Sequence, residues 1–262
     1  MTSYRTRIIT HIILLAIVFN LALVISSFTS SRKRHGASPG AVAASEAAAG
    51  SAGGSRGADW ITLFDGKTFN GWHEYNKASP VTNWHIEDGV IVCIDSAADT
   101  RGGDLVTDQK FSDFELVWDF KLDKGSNTGV MYHVEEGPSY YSPFESGPEY
   151  QVIDDTGYPG KLEEWQKTGA DYAMYTPAPD KILHGPGEWN SSRIVCGKKD
   201  IQYWLNGKKV TEFTPGSPDW NSRKTIGKWK DFPDYGKFRK GEIALQDHGS
   251  RVFFKNIRIR KI

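Results

Sequence analysis

The chain is short of the residues that mark metal, nucleotide and nucleic-acid proteins. It has two cysteines, Cys93 and Cys196, far apart and each inside an apolar run. Neither a Cys-x-x-Cys nor a His-Glu-x-x-His pattern occurs, which excludes the familiar zinc motifs. The cysteine spacing carries no pairing signal, and both residues read as buried free thiols. A Gly-rich phosphate loop is missing. Charge of one sign is not in excess either, since 32 basic and 32 acidic residues balance. A neutral chain lacks the basic surplus that phosphate neutralisation needs, so nucleic acid is excluded as a bulk partner. Helical heptads and internal repeats are absent, which removes coiled coils and solenoids.

Aromatic residues and glycine are abundant. Phe, Trp and Tyr make up 13% of the chain, with 9 Trp and 11 Tyr beside 27 Gly. From Trp60 onward a dozen short alternating runs recur, at 60–64, 84–86, 90–94, 104–107, 114–122, 129–134, 150–153, 189–196, 201–205, 209–213, 241–246 and 252–259. Asp65-Gly66, Asp88-Gly89 and Asn206-Gly207 punctuate them, dipeptides favoured in tight hairpin turns. Residues 201–213 form the clearest hairpin. Strands this short and this many predict an all-β sandwich or jelly roll. The aromatic excess suits stacking on carbohydrate, and equally suits the core and edges of a sandwich. Two segments, 155–188 and 214–240, are too long for plain connectors. The first holds one expected helical turn, Leu162–Lys167. The second is aromatic and basic, with Trp220, Trp229, Phe232, Tyr235 and Phe238 among Arg223, Lys224, Lys228 and Lys230. It reads either as a functional loop or as a packed flap over the sheet edge.

Ahead of this domain, residues 8–28 form one apolar run behind Arg5 and Arg7, about the length of a membrane-spanning helix. No small-x-small site directly follows Ile25 and no lipobox cysteine is present, which favours an uncleaved anchor over a signal peptide. Arg32, Lys33 and Arg34 balance Arg5 and Arg7, so the flanks set no orientation. Residues 32–58, mostly Ala, Gly and Ser, read as a flexible tether. The expected organisation is a signal peptide or anchor at 1–31, a linker at 32–58 and a β domain at 59–262. Export is expected, with the membrane as a partner through 8–28.

The most concentrated polar chemistry lies in 127–154. Asn127–Val134 and Glu149–Asp154 are strand-like and flank a loop rich in Pro, Gly, Ser and Tyr. Alternation sets Asn127, Gly129, Met131 and His133 on one face of the first strand. It sets Glu149, Gln151 and Ile153 on one face of the second. A histidine, a carboxylate and an amide are thus offered from neighbouring strands.

Leu63-Phe64-Asp65-Gly66 followed by Gly71-Trp72, then Trp84 with Asp88-Gly89-Val90, opens an ordered series of motifs. It continues through Phe114-Glu115-Leu116, Asn127-Thr128-Gly129-Val130, Glu149-Tyr150-Gln151-Val152-Ile153-Asp154 and Thr168-Gly169-Ala170-Asp171-Tyr172. Gly187-Glu188-Trp189-Asn190, Trp204-Leu205-Asn206-Gly207, Leu245-Gln246-Asp247-His248-Gly249 and Phe254-Lys255-Asn256-Ile257-Arg258 close it. Together these residues resemble the bacterial 3-keto-disaccharide hydrolase domain family, formerly a domain of unknown function. The resemblance implies a concanavalin A-like jelly-roll sandwich of two antiparallel sheets, the concave one carrying a sugar site. It also implies export to the periplasm or cell surface, and hydrolysis of glycosides already oxidised at C3. Many members carry an Arg after the Asn-Ser-Gly strand where this chain has His133; a subgroup with Met-Tyr-His is the nearer match.

Ordinary glycosidases need two carboxylates, roughly 5–5.5 Å apart for retention and 6.5–9.5 Å for inversion. Glu149 and Asp154 alternate to opposite strand faces and make a poor pair. A 3-keto sugar removes that requirement, because its ketone acidifies the C2 hydrogen and one base can start an elimination. The candidate catalytic residues are His133 or Glu149 as base and His248 as acid or electrophilic partner. Gln151 and Gln246 are candidate holders of sugar hydroxyls, with Asn127, Asp154, Tyr172 and Asp247 as further substrate contacts. No cofactor is required. His133, Glu149, Asp154 and His248 are acceptable ligands for a divalent metal, without a spacing that compels one. Blander readings stand beside these: a solvated strand histidine, a strand-entry glutamate, an Asp154-Asp155 turn, and a turn at 247–249. A non-catalytic carbohydrate-binding module and a surface adhesion domain are the alternatives. A conventional glucanase would want Glu-x-Asp-x-x-Glu, which Glu149-Tyr150-Gln151 does not supply.

Overall fold

The computed structural model describes residues 59–77, 83–94 and 103–262; the expected anchor and tether lie outside them. Thirteen strands fall in this part: β1 (Ile61–Thr62), β2 (Trp72–Glu74), β3 (Trp84–Glu87), β4 (Val90–Cys93), β5 (Leu105–Thr107), β6 (Phe114–Leu122), β7 (Asn127–Val134), β8 (Glu149–Ile153), β9 (Asn190–Cys196), β10 (Ile201–Leu205), β11 (Lys208–Phe213), β12 (Glu242–Leu245) and β13 (Val252–Lys261). They form two antiparallel sheets. The larger runs β11-β10-β9-β6-β13-β4-β3, with β1 on β13, and the smaller runs β2-β5-β12-β7-β8. This is the expected all-β jelly-roll sandwich. No helix among the described residues is long and apolar enough to cross a membrane.

Alternation builds the core. Phe114, Leu116, Trp118, Phe120 and Leu122 of β6 face Val130, Tyr132, Tyr150, Val152, Ile243 and Leu245 of the smaller sheet, all buried. Each such side chain contributes about 1.5–3 kcal/mol by leaving water. The Tyr132 and Tyr203 hydroxyls meet at 2.9 Å between the sheets. Cys93 and Cys196 are both buried and free. The β10–β11 hairpin turns on Asn206 and Gly207 at φ 47° and 80°, the left-handed pair a type I′ turn demands.

The outer face of the smaller sheet carries the polar candidates Asn127, Glu149 and Gln151. Val106, Met131 and Ala244 point to it and are covered by Tyr75, Tyr140 and Phe144. One strand breaks the alternation. Glu242 pairs with Val134 and Ile243 with Tyr132, so His133 is the extra residue of a β-bulge, with φ 54°. The bulge turns its ring inward. Gly241 backs it, since a Cβ there would lie 2.6 Å from the His133 Cα.

Strand β8 is an edge, and the chain covers it. The segment 169–172 runs alongside, with Gln151 N donating to Ala170 O (3.1 Å) and Tyr172 N to Glu149 O (3.1 Å). Beyond it lies the flap at 214–240, which contains helix α1 (Pro218–Ile226) and a 3-10 turn, Lys228–Asp231. The helix was not foreseen, although Ser217 caps it by accepting from Trp220 N (3.2 Å) and Pro218 starts it. Trp229 stacks on Tyr235 at 4.0 Å and 8°, and Tyr235 on Trp220 at 6.0 Å and 12°. The flap is therefore packed, as one of the two expectations had it. The helical turn expected at 162–167 is a 3-10 turn, Glu164–Gln166.

Candidate active site

Two rows of side chains cross the outer face. Val106, Ala244, Met131 and Glu149 are successive cross-strand partners. In the next row Gly129 pairs with Gln151 and its carbonyl accepts from Gln246 N (2.9 Å). Asp104 continues that row, taking Asp247 N on its Oδ1 (2.7 Å). Gly129 leaves a gap in the row, and the Glu149 side chain fills the space above it. A Cβ on Gly129 would lie 2.7 Å from the Glu149 Cδ. Asn127, two residues back on the same face of β7, borders this hollow above Gly129, and its buried Oδ1 has no hydrogen-bond partner among the described residues.

Glu149 is 4% exposed, and its side-chain carboxylate accepts no hydrogen bond from any described residue. Desolvation pushes its carboxyl up to about 7, and the Lys228 ammonium opposes this. Asp104 is also pushed up to about 7, by burial first and by the charges of Asp247, Glu149 and Glu74, against the bond from Asp247 N. Lys228 comes from the flap. Its ammonium lies over the rings of Tyr172 (4.5 Å), Trp229 (4.6 Å) and Phe144 (5.2 Å). Although the residue keeps solvent access, crowding by these rings lowers its pKa, and Glu149 raises it. Trp229 fixes this corner by donating from Nε1 to Tyr172 O (3.0 Å). The hollow thus gathers two carboxyls each raised to about 7, one cation and several amides.

The structure brings together Glu149, Gln151, Gln246, Asn127 and Tyr172 among the expected site residues. Others it places elsewhere. His133 is a core residue, contrary to its expected role as a base. Its Nε2 donates to the Ser112 carbonyl (2.8 Å), with Cys196 Sγ 3.8 Å away and the Phe114 ring at 5.7 Å. Burial lowers its pKa, and the sheet separates it from Glu149. Asp154 is a turn residue rather than a substrate contact. Its carboxylate accepts from Gly125 N (2.9 Å), Gly157 N (2.9 Å), Thr156 N (3.2 Å) and Thr156 Oγ1 (3.1 Å). Asp247 is likewise committed, to Asn83 Nδ2 (3.0 Å) and Gly249 N (2.9 Å). His248 is exposed in the segment after β12 and makes no hydrogen bond to Glu149. Two groups were missed, Asp104 at a strand start and Lys228 on the flap; only the basic, aromatic character of 214–240 hinted at the second.

Metal ligands do not converge: among the described residues no three His, Cys, Asp or Glu side chains form a cluster. With His133 between the sheets and Asp154 in its turn, the four acceptable ligands do not assemble. A cavity of about 390 Å³ lies away from the hollow, between 153–156 and 177–190. Among its titratable residues Lys181 pairs with Asp155 at 2.7 Å and Lys167 with Glu164 at 2.6 Å, whereas the Glu149 carboxylate has no hydrogen-bond partner among the described residues. A buried carboxyl of this kind is what makes Glu149 the candidate reactive group.

The fold that carries these candidate groups is a jelly-roll sandwich. Residues 59–260 match the 3-keto-alpha-glucoside-1,2-lyase-like domain family. A 3-keto-disaccharide hydrolase of Bacteroides thetaiotaomicron is 35% identical over 225 residues, covering 77% of this chain and 78% of that one. A crystal structure from Parabacteroides distasonis ATCC 8503, described as a glycosyl hydrolase, is 46% identical with a TM-score of 0.72, covering 78% of this chain and 94% of that one. A second from the same organism is 28% identical with a TM-score of 0.60, covering 78% and 100%. The chain belongs to the 3-keto-alpha-glucoside-1,2-lyase-like domain family, and it is an enzyme of the glycoside hydrolase or lyase kind.

Proposed function

We propose that the chain cleaves 3-keto-glycosides by elimination and rehydration, with Glu149 as the base. The observation that carries this is the buried, unpartnered Glu149 carboxyl above Gly129, poised near neutrality beside a cation. The C3 ketone acidifies the C2 hydrogen. Glu149 takes that proton, and the C2 electron pair forms an enolate whose oxygen is stabilised by the Lys228 ammonium. Collapse of the enolate makes the C1–C2 double bond and expels the C1 oxygen, which Asp104 protonates. Water then adds at C1, giving its proton to Asp104, and Glu149 returns its proton to C2. Gln151, Gln246 and Asn127 hold hydroxyls. The 3-keto-disaccharide hydrolase named above supports the substrate class.

The test is turnover of a 3-keto-disaccharide in D₂O. Wild type is expected to release a 3-keto-sugar with deuterium at C2, to leave the unoxidised disaccharide intact, and to lose turnover in Glu149→Gln. Product without deuterium at C2 sinks the elimination route. Full turnover by Glu149→Gln rejects the base. The apolar run at 8–28 further supports the proposal that the chain is exported and membrane-held; a full-length chain found wholly in the soluble cytoplasmic fraction would overturn that.

A further inference from the structure

The flap has a second face. A cavity of about 510 Å³ lies there, between the turn joining β9 to β10, helix α1 and the segment leading to β12. Five cations line it: Lys198, Lys199, Lys224, Lys237 and Arg239. Only Lys237 has a carboxylate among the described residues, Asp234 at 2.7 Å. Lys224 donates to the carbonyls of Pro233 (2.9 Å) and Tyr235 (2.8 Å). Arg239 donates to those of Gly197 (3.1 Å) and Lys198 (3.0 Å). Carbonyls fix a cation in place without neutralising it. Lys198 and Lys199 are exposed. Asp200, held by Thr214 Oγ1, and Asp234 adjoin the wall, so five cations against two carboxylates leave a surplus of three. The chain as a whole sums to zero, so this surplus is local.

A cavity of ligand size with an uncompensated positive field gathers anions. We propose that it binds an oxyanion, sulfate or carboxylate, borne by an acidic polysaccharide. That the oxyanion sits on a sugar rests on the proposed function; the cavity and its charge do not. Trp220 and Tyr235 line the cavity, and Tyr235 stacks on Trp229, the neighbour of Lys228. The ring column therefore stands between this cavity and the hollow, and a chain bound here leaves Glu149 free.

The full chain is run in native gels containing dextran sulfate, polygalacturonate or neutral dextran. Retardation by either charged polymer, and not by dextran, is expected; the two charged gels distinguish sulfate from carboxylate. Lys198→Glu with Lys199→Glu should weaken retention by about tenfold, the scale of reversing two exposed charge contacts. Lys67→Glu with Lys161→Glu, the same charge change elsewhere, should not. Turnover of a 3-keto-disaccharide should be unchanged in both. Equal retention of the cavity variant and wild type overturns the site, as does equal loss in the control pair. Displacement by inorganic sulfate as effective as by dextran sulfate overturns the sugar. Retention without any wild-type turnover supports the charged site and rejects the proposed function.

Discussion

Replacing Lys228 by Met probes the electrostatics of the hollow most directly. Methionine keeps an apolar stem over the rings that the lysine covers, so the flap stays packed. Burial holds the Glu149 carboxyl up at about 7, and the Lys228 ammonium works against that rise. The other groups acting with Glu149 are Asp104, Asp171, Tyr172 and Tyr235, all acids. Removing the cation leaves burial, the influence that holds Glu149 up, without its opponent. Unit charges a little beyond contact, at an effective dielectric of about 20–40, interact by about 1–3 kcal/mol. Solvent access at Lys228 discounts this to about 1 kcal/mol, roughly a fivefold change in the ionisation constant. The assay is kcat/KM on a 3-keto-disaccharide from acid to alkaline pH. The acid limb of Lys228→Met should move to higher pH, with a deficit of roughly fivefold on the acid side that falls to roughly threefold at pH 7 and recovers on the alkaline side. A deficit independent of pH should remain, because the ammonium also faces the enolate, and Lys228→Arg should restore the limb. A limb that stays in place or moves to lower pH refutes the reasoning.

Glu149→Gln should stabilise the fold on the alkaline side. The raised pKa means the folded state holds the proton more tightly than the unfolded one, so this contribution is full below 4.5 and lost as pH rises through about 7. The Gln variant should gain up to about 3 kcal/mol under alkaline conditions and nothing in acid, read as the difference in Tm at the two extremes. Gly129→Ala should cut kcat/KM by about 10² or more, the scale of a misplaced catalytic group, because its Cβ would displace the Glu149 carboxyl; unchanged kinetics would mean the carboxyl sits elsewhere. His133→Ala should lower stability by about 2–4 kcal/mol through a core cavity and an abandoned carbonyl at Ser112, while kcat of the folded fraction holds. Loss of kcat at unchanged Tm would return His133 to the chemistry.

Much of the fold was legible because its signals are local. Asn206-Gly207 can take the left-handed pair of angles, and Phe114 to Leu122 alternate over nine residues. The short strand β2 escaped because three residues, Trp72–Glu74, show no period. Helix α1 was readable from Ser217-Pro218 but stood inside a segment dominated by its aromatics. At the site, alternation set Glu149, Gln151 and Asn127 on the right face. It failed at His133, because the bulge is decided by pairing with β12 and by the missing side chain at Gly241, more than a hundred residues away in sequence. Asp104 and Lys228 escaped for the same reason, since their character comes from what the fold lays against them.

The inward turn of His133 narrows the chemistry as well as the residue list. With the imidazole behind the sheet, the titrating groups with which this reading works are the carboxyls of Glu149 and Asp104 and the ammonium of Lys228. A conventional glycosidase wants its carboxyls pushed apart, one held protonated as acid and one kept ionised. Glu149 and Asp104 are instead both lifted to about 7. A matched pair is poorly suited to forcing charge onto an unactivated glycosidic carbon. It is well suited to lifting a proton from an acidified carbon and returning it at neutral pH, where a base is most effective when its pKa lies near the ambient value. In the proposed reaction the activation comes from the substrate, whose ketone lies beside the labile hydrogen.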